Sequence, residues 1–80
     1  NEKTLVKYAP ANAVTSFAVE CRVGANAFRN AVNLTEIDIT GATYVGEFAF
    51  MDCPATIVGA GEVDDSTWHA NWWIGSTYNK

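Results

Sequence analysis

Two short stretches of the sequence are nearly the same: VGANAF at residues 23–28 and VGEFAF at residues 45–50. They share Val, Gly, Ala and Phe at equivalent positions, and the second begins 22 residues after the first. Repeats of roughly 20–50 residues are typical of solenoids, in which each unit buries its apolar face against the next. The repeat therefore predicts a stacked architecture in which Gly permits a tight helical or 3-10 turn and Ala and Phe face the core.

The segment after the first copy predicts a β-strand. In residues 34–39 apolar and polar side chains alternate, with a slip after Leu34, which is the pattern of a strand with one buried face. Leu34, Ile37 and Ile39 are predicted to point inward, and Glu36 and Asp38 to point outward.

The second copy continues in the same way, with a less regular strand. Residues 56–58 are predicted to correspond to residues 34–37, with Thr56 in place of Leu34, and Gly59 and Gly61 shorten the strand. Residues 43–45 form another short extended piece. The core is predicted to contain Val23, Ala27, Phe28, Leu34, Ile37, Ile39, Val45, Ala49, Phe50 and Ile57.

The two ends of the chain predict different structures. Residues 4–8 and 14–19 are β-prone and flank a turn at residues 10–13, which predicts an N-terminal hairpin. Residues 66–74 predict a short helix with Asp65 or Ser66 as its N-cap and with Trp68 and Trp72 on one face.

Composition and charge exclude several classes of function. The 80 residues are 49% hydrophobic, enough for a folded core, and carry a net charge of −4 without a basic run. Nucleic-acid binding needs clustered cations, and an apolar span of about 20 residues would be needed to insert into a membrane, so neither partner is expected. Two cysteines and one histidine are too few for a zinc or iron–sulfur site, and no cofactor is expected. Cys21 and Cys53 form either a disulfide or two buried thiols.

Polar residues near the C-terminus do not predict catalysis. Glu62, Asp64 and Asp65 lack the alternate spacing of a calcium loop and are expected to form a solvated turn. Ser66 and His69 lack an acidic residue, as the third member of a triad, placed to orient the imidazole ring, so a nucleophile–base pair is not expected. The sequon at Asn33–Thr35 is incidental, since Leu34 is expected to be buried.

The pattern Val-Gly-x-x-Ala-Phe-x-x-(Ala/Cys)-x-x-Leu-x-x-Ile-x-Ile across residues 23–39 and 45–58 resembles the BspA-like leucine-rich repeats. The resemblance covers roughly residues 14–60. It implies a mainly β leucine-rich-repeat solenoid of about two to three coils, with short helical or 3-10 turns, an N-terminal hairpin and a C-terminal Trp-rich cap. Residues 1–19 would form an extended lead-in, residues 20–61 the repeats and residues 62–80 the end cap of one domain. Ala31 departs from the family pattern, which usually has Cys at that position, as at Cys53.

The resemblance implies a non-catalytic, extracellular or cell-surface module that binds a protein or glycan in the manner of an adhesin. The strand positions expected to carry the contact surface include Thr35, Glu36 and Asp38, with Thr40 and Thr43 beside them. A cluster of aromatic residues either caps the open end of the core or binds a partner; it comprises Trp68, Trp72, Trp73 and Tyr78. The alternatives are an assembly element, which self-associates or packs on a neighbouring domain, and a carbohydrate-binding accessory domain.

Overall fold

A computed structural model describes residues 3–8 and 15–80. In these residues the chain is mainly strand, with almost no helix. The strands are β1 (Thr4–Leu5), β2 (Ser16–Ala18), β3 (Arg22–Val23), β4 (Glu36–Asp38), β5 (Tyr44–Val45) and β6 (Thr56–Val58). A 3-10 helix at Ala60–Glu62 is the only helical element of the described ranges.

The strands form two small parallel sheets, between which the chain alternates. The first sheet has the order β1-β3-β5 and the second has the order β2-β4-β6. Each strand therefore pairs with the next strand but one, and never with its neighbour in sequence.

This topology shows that the predicted N-terminal hairpin is wrong. β1 pairs in parallel with β3, and β2 pairs in parallel with β4. The reason is burial: parallel pairing sets Leu5 beside Val23 and Phe17 beside Ile37, whereas a hairpin would pair β1 and β2 only with each other. The turn predicted at residues 10–13 lies outside the described residues.

The strand register also corrects the predicted alignment of the two copies. Thr56–Val58 pairs with Glu36–Asp38 and not with residues 34–37. Ala55, just before β6, is buried, and Thr56 is exposed. The cause is a shorter connection, because nine positions separate Phe28 from Ile37 and seven separate Phe50 from Ile57. β6 is as long as β4, so the glycines that follow do not shorten it.

The repeated motif forms a turn with two sets of hydrogen bonds. N–H groups of odd-numbered residues from 27 to 31 donate to carbonyls three residues earlier, at 3.1–3.2 Å, which is the 3-10 pattern. N–H groups of even-numbered residues from 26 to 30 donate to carbonyls of the second copy, at 2.7–3.1 Å. In an α-helix all of these N–H groups would bond within the helix. Here every second N–H group donates to the next turn, so these hydrogen bonds join successive turns.

A third turn of the same kind follows at residues 69–76. The N–H groups of residues 72, 74 and 76 donate to carbonyls three residues earlier, as in the first two copies. Phe48 and Asp52 donate their N–H groups to the carbonyls of Asn71 and Gly75 in this third turn. The hydrogen bonds within the third turn, from each of these N–H groups to the carbonyl three residues earlier, place Trp72 at the position of Ala27 and Ala49.

The short helix predicted at residues 66–74 is therefore wrong. The N–H groups of residues 68, 72 and 74 donate to carbonyls three residues earlier, and the carbonyl of Asn71 accepts a hydrogen bond from the second turn. Contact with the preceding turn competes successfully with helix formation, as tertiary context often does for a segment this short. Asp64 nevertheless binds the start of the segment, since its Oδ1 accepts the N–H of Ser66 at 3.1 Å.

The core lies between the two sheets and the turns. Nine of the ten predicted core residues are at most 1% exposed, and Ile57 is half-buried because it lies on the edge strand β6. A row of aromatic rings runs through the core, with centroid separations of 5.3, 5.2 and 6.2 Å between successive members Tyr8, Phe28, Phe50 and Trp72.

Candidate functional site

The aromatic cluster near the C-terminus belongs largely to the core. Trp68 is 7% exposed and Trp72 is 1% exposed. The ring of Trp72 contacts Trp68 edge to face at 5.1 Å and stacks on Tyr78 at 5.5 Å. Neither buried tryptophan presents a ring face to a ligand, so both are removed from the predicted binding surface, while Trp73 and Tyr78 stay half-buried.

The burial of Trp72 follows from its place in the third turn. A large ring replaces the alanine of the earlier copies and covers apolar surface that no further turn covers in the described chain. Its polar atom is satisfied, since Nε1–H donates to Asp65 Oδ2 at 3.2 Å. Asp65 also accepts a hydrogen bond from Lys80. These contacts bind the end of the chain to the core.

The predicted polar surface lies mostly on the second sheet. Glu36 is exposed in the central strand β4, between Ser16 of β2 and Thr56 of β6, and all three residues are exposed. The next outward row is Ala18, Asp38 and Val58. These six side chains define the second-sheet face, a surface of short side chains with two carboxylates.

Asp38 and Thr40 form a local unit at the end of β4. Asp38 Oδ1 accepts hydrogen bonds from the Thr40 N–H at 2.9 Å and from the Thr40 hydroxyl at 2.8 Å. These bonds, the backbone one foremost, lower the pKa of the Asp38 carboxyl below its usual value. The carboxylate therefore stays ionised at neutral pH, with its orientation fixed by the turn.

The two outer threonines of the predicted surface lie in different places. Thr35 is exposed just before β4, and its hydroxyl donates to the carbonyl of Thr15 at 2.9 Å. Thr43 lies just before β5, which belongs to the first sheet. The structure therefore brings Thr35, Glu36, Asp38 and Thr40 together and separates Thr43 from the sheet that carries them.

The polar residues from 62 to 69 form turns at the surface. Glu62 and Asp64 are exposed, and hydrogen bonds from Ser66 lower the pKa of Asp64. His69 Nδ1 accepts the N–H of Asn71 at 3.0 Å, and its Nε2 lies 4.0 Å from Glu47 Oε2. In residues 3–8 and 15–80, no three metal-ligating side chains form a group that could hold a metal ion.

Both cysteines are free thiols. Cys53 is buried and its thiol lies 3.6 Å from the carbonyl of Ala31, at the matching position of the first copy. Burial raises the pKa of the Cys53 thiol, which keeps it protonated and weakly nucleophilic. Of the two arrangements that the sequence allows, the structure has separate thiols, with Cys21 half-buried.

A groove that the sequence did not predict lies between the segment after β1 and the first turn. It has a volume of about 360 Å³ and is lined by Val6, Lys7, Ala25, Asn26, Arg29 and Asn30. Arg29 Nη1 is 3.5 Å from Asn26 Oδ1, which draws the guanidinium toward the amide. The residues come from two parts of the chain that only the pairing of β1 with β3 brings together, so no local sequence signal could have found them.

Among the residues that the structure describes, no helix is long and apolar enough to cross a bilayer. Compared with known proteins, the chain matches no protein-family model, no curated protein and no solved structure.

Proposed function

We propose that the chain is a non-catalytic interaction module, built as a short BspA-like leucine-rich-repeat solenoid and displayed outside the cell or on its surface. The solenoid is supported by three turns with one hydrogen-bond pattern and by strands that pair in parallel with their counterparts in the next copy. The family is supported by the Val-Gly-x-x-Ala-Phe repeat itself.

The second-sheet face is the contact surface for a protein partner. The observation that carries this assignment is the exposed row Ser16–Glu36–Thr56, which crosses all three strands and is covered by no other described segment. A row of short side chains on a sheet gives a flat surface that a partner can approach closely, and the carboxylates of Glu36 and Asp38 favour a partner with a basic patch.

The experiment is a binding screen of the labelled chain against an array of purified extracellular proteins, followed by surface plasmon resonance on each hit. Glu36→Lys should weaken binding by about tenfold or more, because it places a like charge opposite the basic patch. Glu62→Lys makes the same change in charge at an exposed site outside the face and should leave the affinity within about twofold. Equal loss in both variants, or no hit at all, would contradict the proposal.

Self-association is the second candidate, and one observation favours it. Among the described strands β1 and β2 lie at sheet edges, and Val6 beside β1 is 75% exposed, so in this part of the chain the end offers unpaired backbone groups and apolar surface. At the opposite edge of the first sheet, the N–H of His69 donates to the carbonyl of Val45 and covers the strand. Sedimentation at micromolar concentration tests the idea, since a monomer in both the wild type and Val6→Lys would eliminate it.

A further inference from the structure

The groove beside the first turn contains an unusual concentration of positive charge. Lys7 and Arg29 are two of only five basic residues in a chain of net charge −4, and among the residues that the structure describes no acidic side chain lines the groove. Within residues 3–8 and 15–80 neither cation forms an ion pair. Arg29 donates one hydrogen bond to Asn26 Oδ1, at 3.5 Å, and its guanidinium has further N–H donors for an anion.

The geometry of the turn accounts for Asn26 and Asn30 in the groove, but it does not account for Arg29. Asn26 and Asn30 have φ angles of 61° and 63°, in the left-handed region that Asn tolerates better than most residues. The turn does not require Arg29, because the equivalent position of the next copy is Met51. The two cations are therefore surface features that the architecture leaves free to vary.

We propose that this groove binds an acidic saccharide, in which a carboxylate or sulfate group lies between Lys7 and Arg29. Cations favour the anionic group, and the amides of Asn26 and Asn30 supply donors and acceptors for sugar hydroxyls. Val6 and Ala25 offer apolar contact for the C–H face of a ring. A volume of about 360 Å³ is at the small end of the range for ligand sites and suits one or two sugar rings.

The negative charge of the rest of the chain favours binding of an anionic sugar at the groove over binding elsewhere on the surface. Elsewhere an acidic protein repels an anionic sugar, so the saccharide concentrates where the cations lie. The groove is separate from the second-sheet face, and the inference stands whether or not that face binds a protein.

The test is titration of the full chain with four probes at low ionic strength. Calorimetry measures the affinity, and backbone amide chemical shifts locate the binding site. The probes are a galacturonate trisaccharide, a sulfated heparin disaccharide, neutral maltotriose and tetraglutamate. We expect binding of the carboxylated or the sulfated sugar with shifts centred on residues 25–30, and the stronger of the two identifies the anionic group.

The variants distinguish the groove from general charge. Arg29→Met copies the residue of the next turn and should weaken binding by about tenfold, as should Lys7→Gln at an exposed site. Arg29→Lys keeps the charge and should retain most of the affinity. Lys80→Met removes the same charge in the C-terminal region, beside Asp65, and should leave the affinity within about twofold.

Four results would overturn the proposal. They are equal affinity for maltotriose, tighter binding of tetraglutamate than of either acidic sugar, no binding of either acidic sugar below about 10 mM, and equal weakening by Lys80→Met. If Arg29→Met does not fold, Lys7→Gln and Arg29→Lys decide the outcome.

Discussion

At the scale of single residues, Asp65 does more than its place in an acidic turn indicates. Its carboxylate accepts hydrogen bonds from the Trp72 indole and from Lys80, and the bond from Lys80 is the main cause that lowers its pKa from the ordinary value of 3.8. A carboxyl whose pKa is lower in the folded state stabilises the fold above its unfolded pKa. That stabilisation is lost as the pH falls through the lower folded value.

We therefore expect acid to destabilise the wild type more than Asp65→Asn. The melting temperature of the wild type should fall between pH 5 and pH 2.5 (about one unit either side of the usual pKa), and the fall should be smaller in the variant because Asn does not titrate. Thermal unfolding followed by circular dichroism at several pH values measures this difference.

Lys80→Met provides the matched control for this prediction. Removing the partner should flatten the pH dependence in the same direction, and the double variant should be no flatter than Asp65→Asn alone. A pH dependence as steep in Asp65→Asn as in the wild type would show that other carboxylates cause the acid sensitivity.

At the scale of elements, the glycine of the repeated motif permits one turn to approach the next. A Cβ atom on Gly46 would lie 2.7 Å from the backbone N of Ala25, closer than real Cβ atoms approach such an atom. The obstacle is backbone, which cannot rotate away as a side chain would. Gly46 is thus needed for stacking, whereas the positive φ angles of the two turns are taken by Asn26, Asn30, Phe48 and Asp52.

Gly46→Ala should lower the free energy of unfolding by about 2 kcal/mol or more, because the first two turns must move apart. Chemical denaturation measures the change. Gly61→Ala is the control, since its added Cβ would point into open space, and it should stay within about 1 kcal/mol of the wild type. Equal effects at the two sites would contradict the close approach.

At the scale of the whole molecule, the row of aromatic rings connects the copies into one core. Phe28 is 0% exposed, stacks on Tyr8 and Phe50, and is linked through Phe50 to Trp72. All three tryptophans lie in the C-terminal part of the chain, at residues 68–73. Tryptophan fluorescence therefore reports on the last turn, whereas circular dichroism reports on the whole chain.

Phe28→Ala should cost about 3–5 kcal/mol, because a buried ring is lost and a cavity remains. Since the copies share one core, fluorescence and circular dichroism should give the same shifted denaturation midpoint. Val32→Ala, at a residue 65% exposed, should change stability by less than about 0.5 kcal/mol. A fluorescence midpoint unchanged by Phe28→Ala would show that the last turn unfolds independently.

The sequence predicted the core well because burial there follows a local pattern. Alternation in residues 34–39 and the repeated Ala-Phe pair identify inward positions whatever strand or turn lies next to them. The alignment of residues 56–58 failed for a specific reason: two positions are missing before β6, and the spacing of the motif alone cannot show which side of the strand absorbs the deletion.

The candidate sites were less predictable than the core. Glu36 and Asp38 were expected outward from alternation, and β4 does present them on the second-sheet face. Trp68 and Trp72 were ambiguous, because an aromatic side chain suits a core and an interface equally well. The groove could not be predicted from the sequence, since Lys7 and Arg29 line one groove only when β1 pairs with β3.

The Val-Gly-x-x-Ala-Phe repeat and the alternation in residues 34–39 determined most of the buried residues and that the chain repeats a turn about every 22 residues. Only the tertiary structure decided how the strands pair, that Trp72 continues the repeat in place of an alanine, and that Lys7 and Arg29 line one groove. The physical reason is range. Periodicity in the sequence indicates which side chains face the core. Parallel pairing joins residues about 20 positions apart through backbone N–H and C=O groups, which are the same in nearly every residue and so leave no pattern in the sequence.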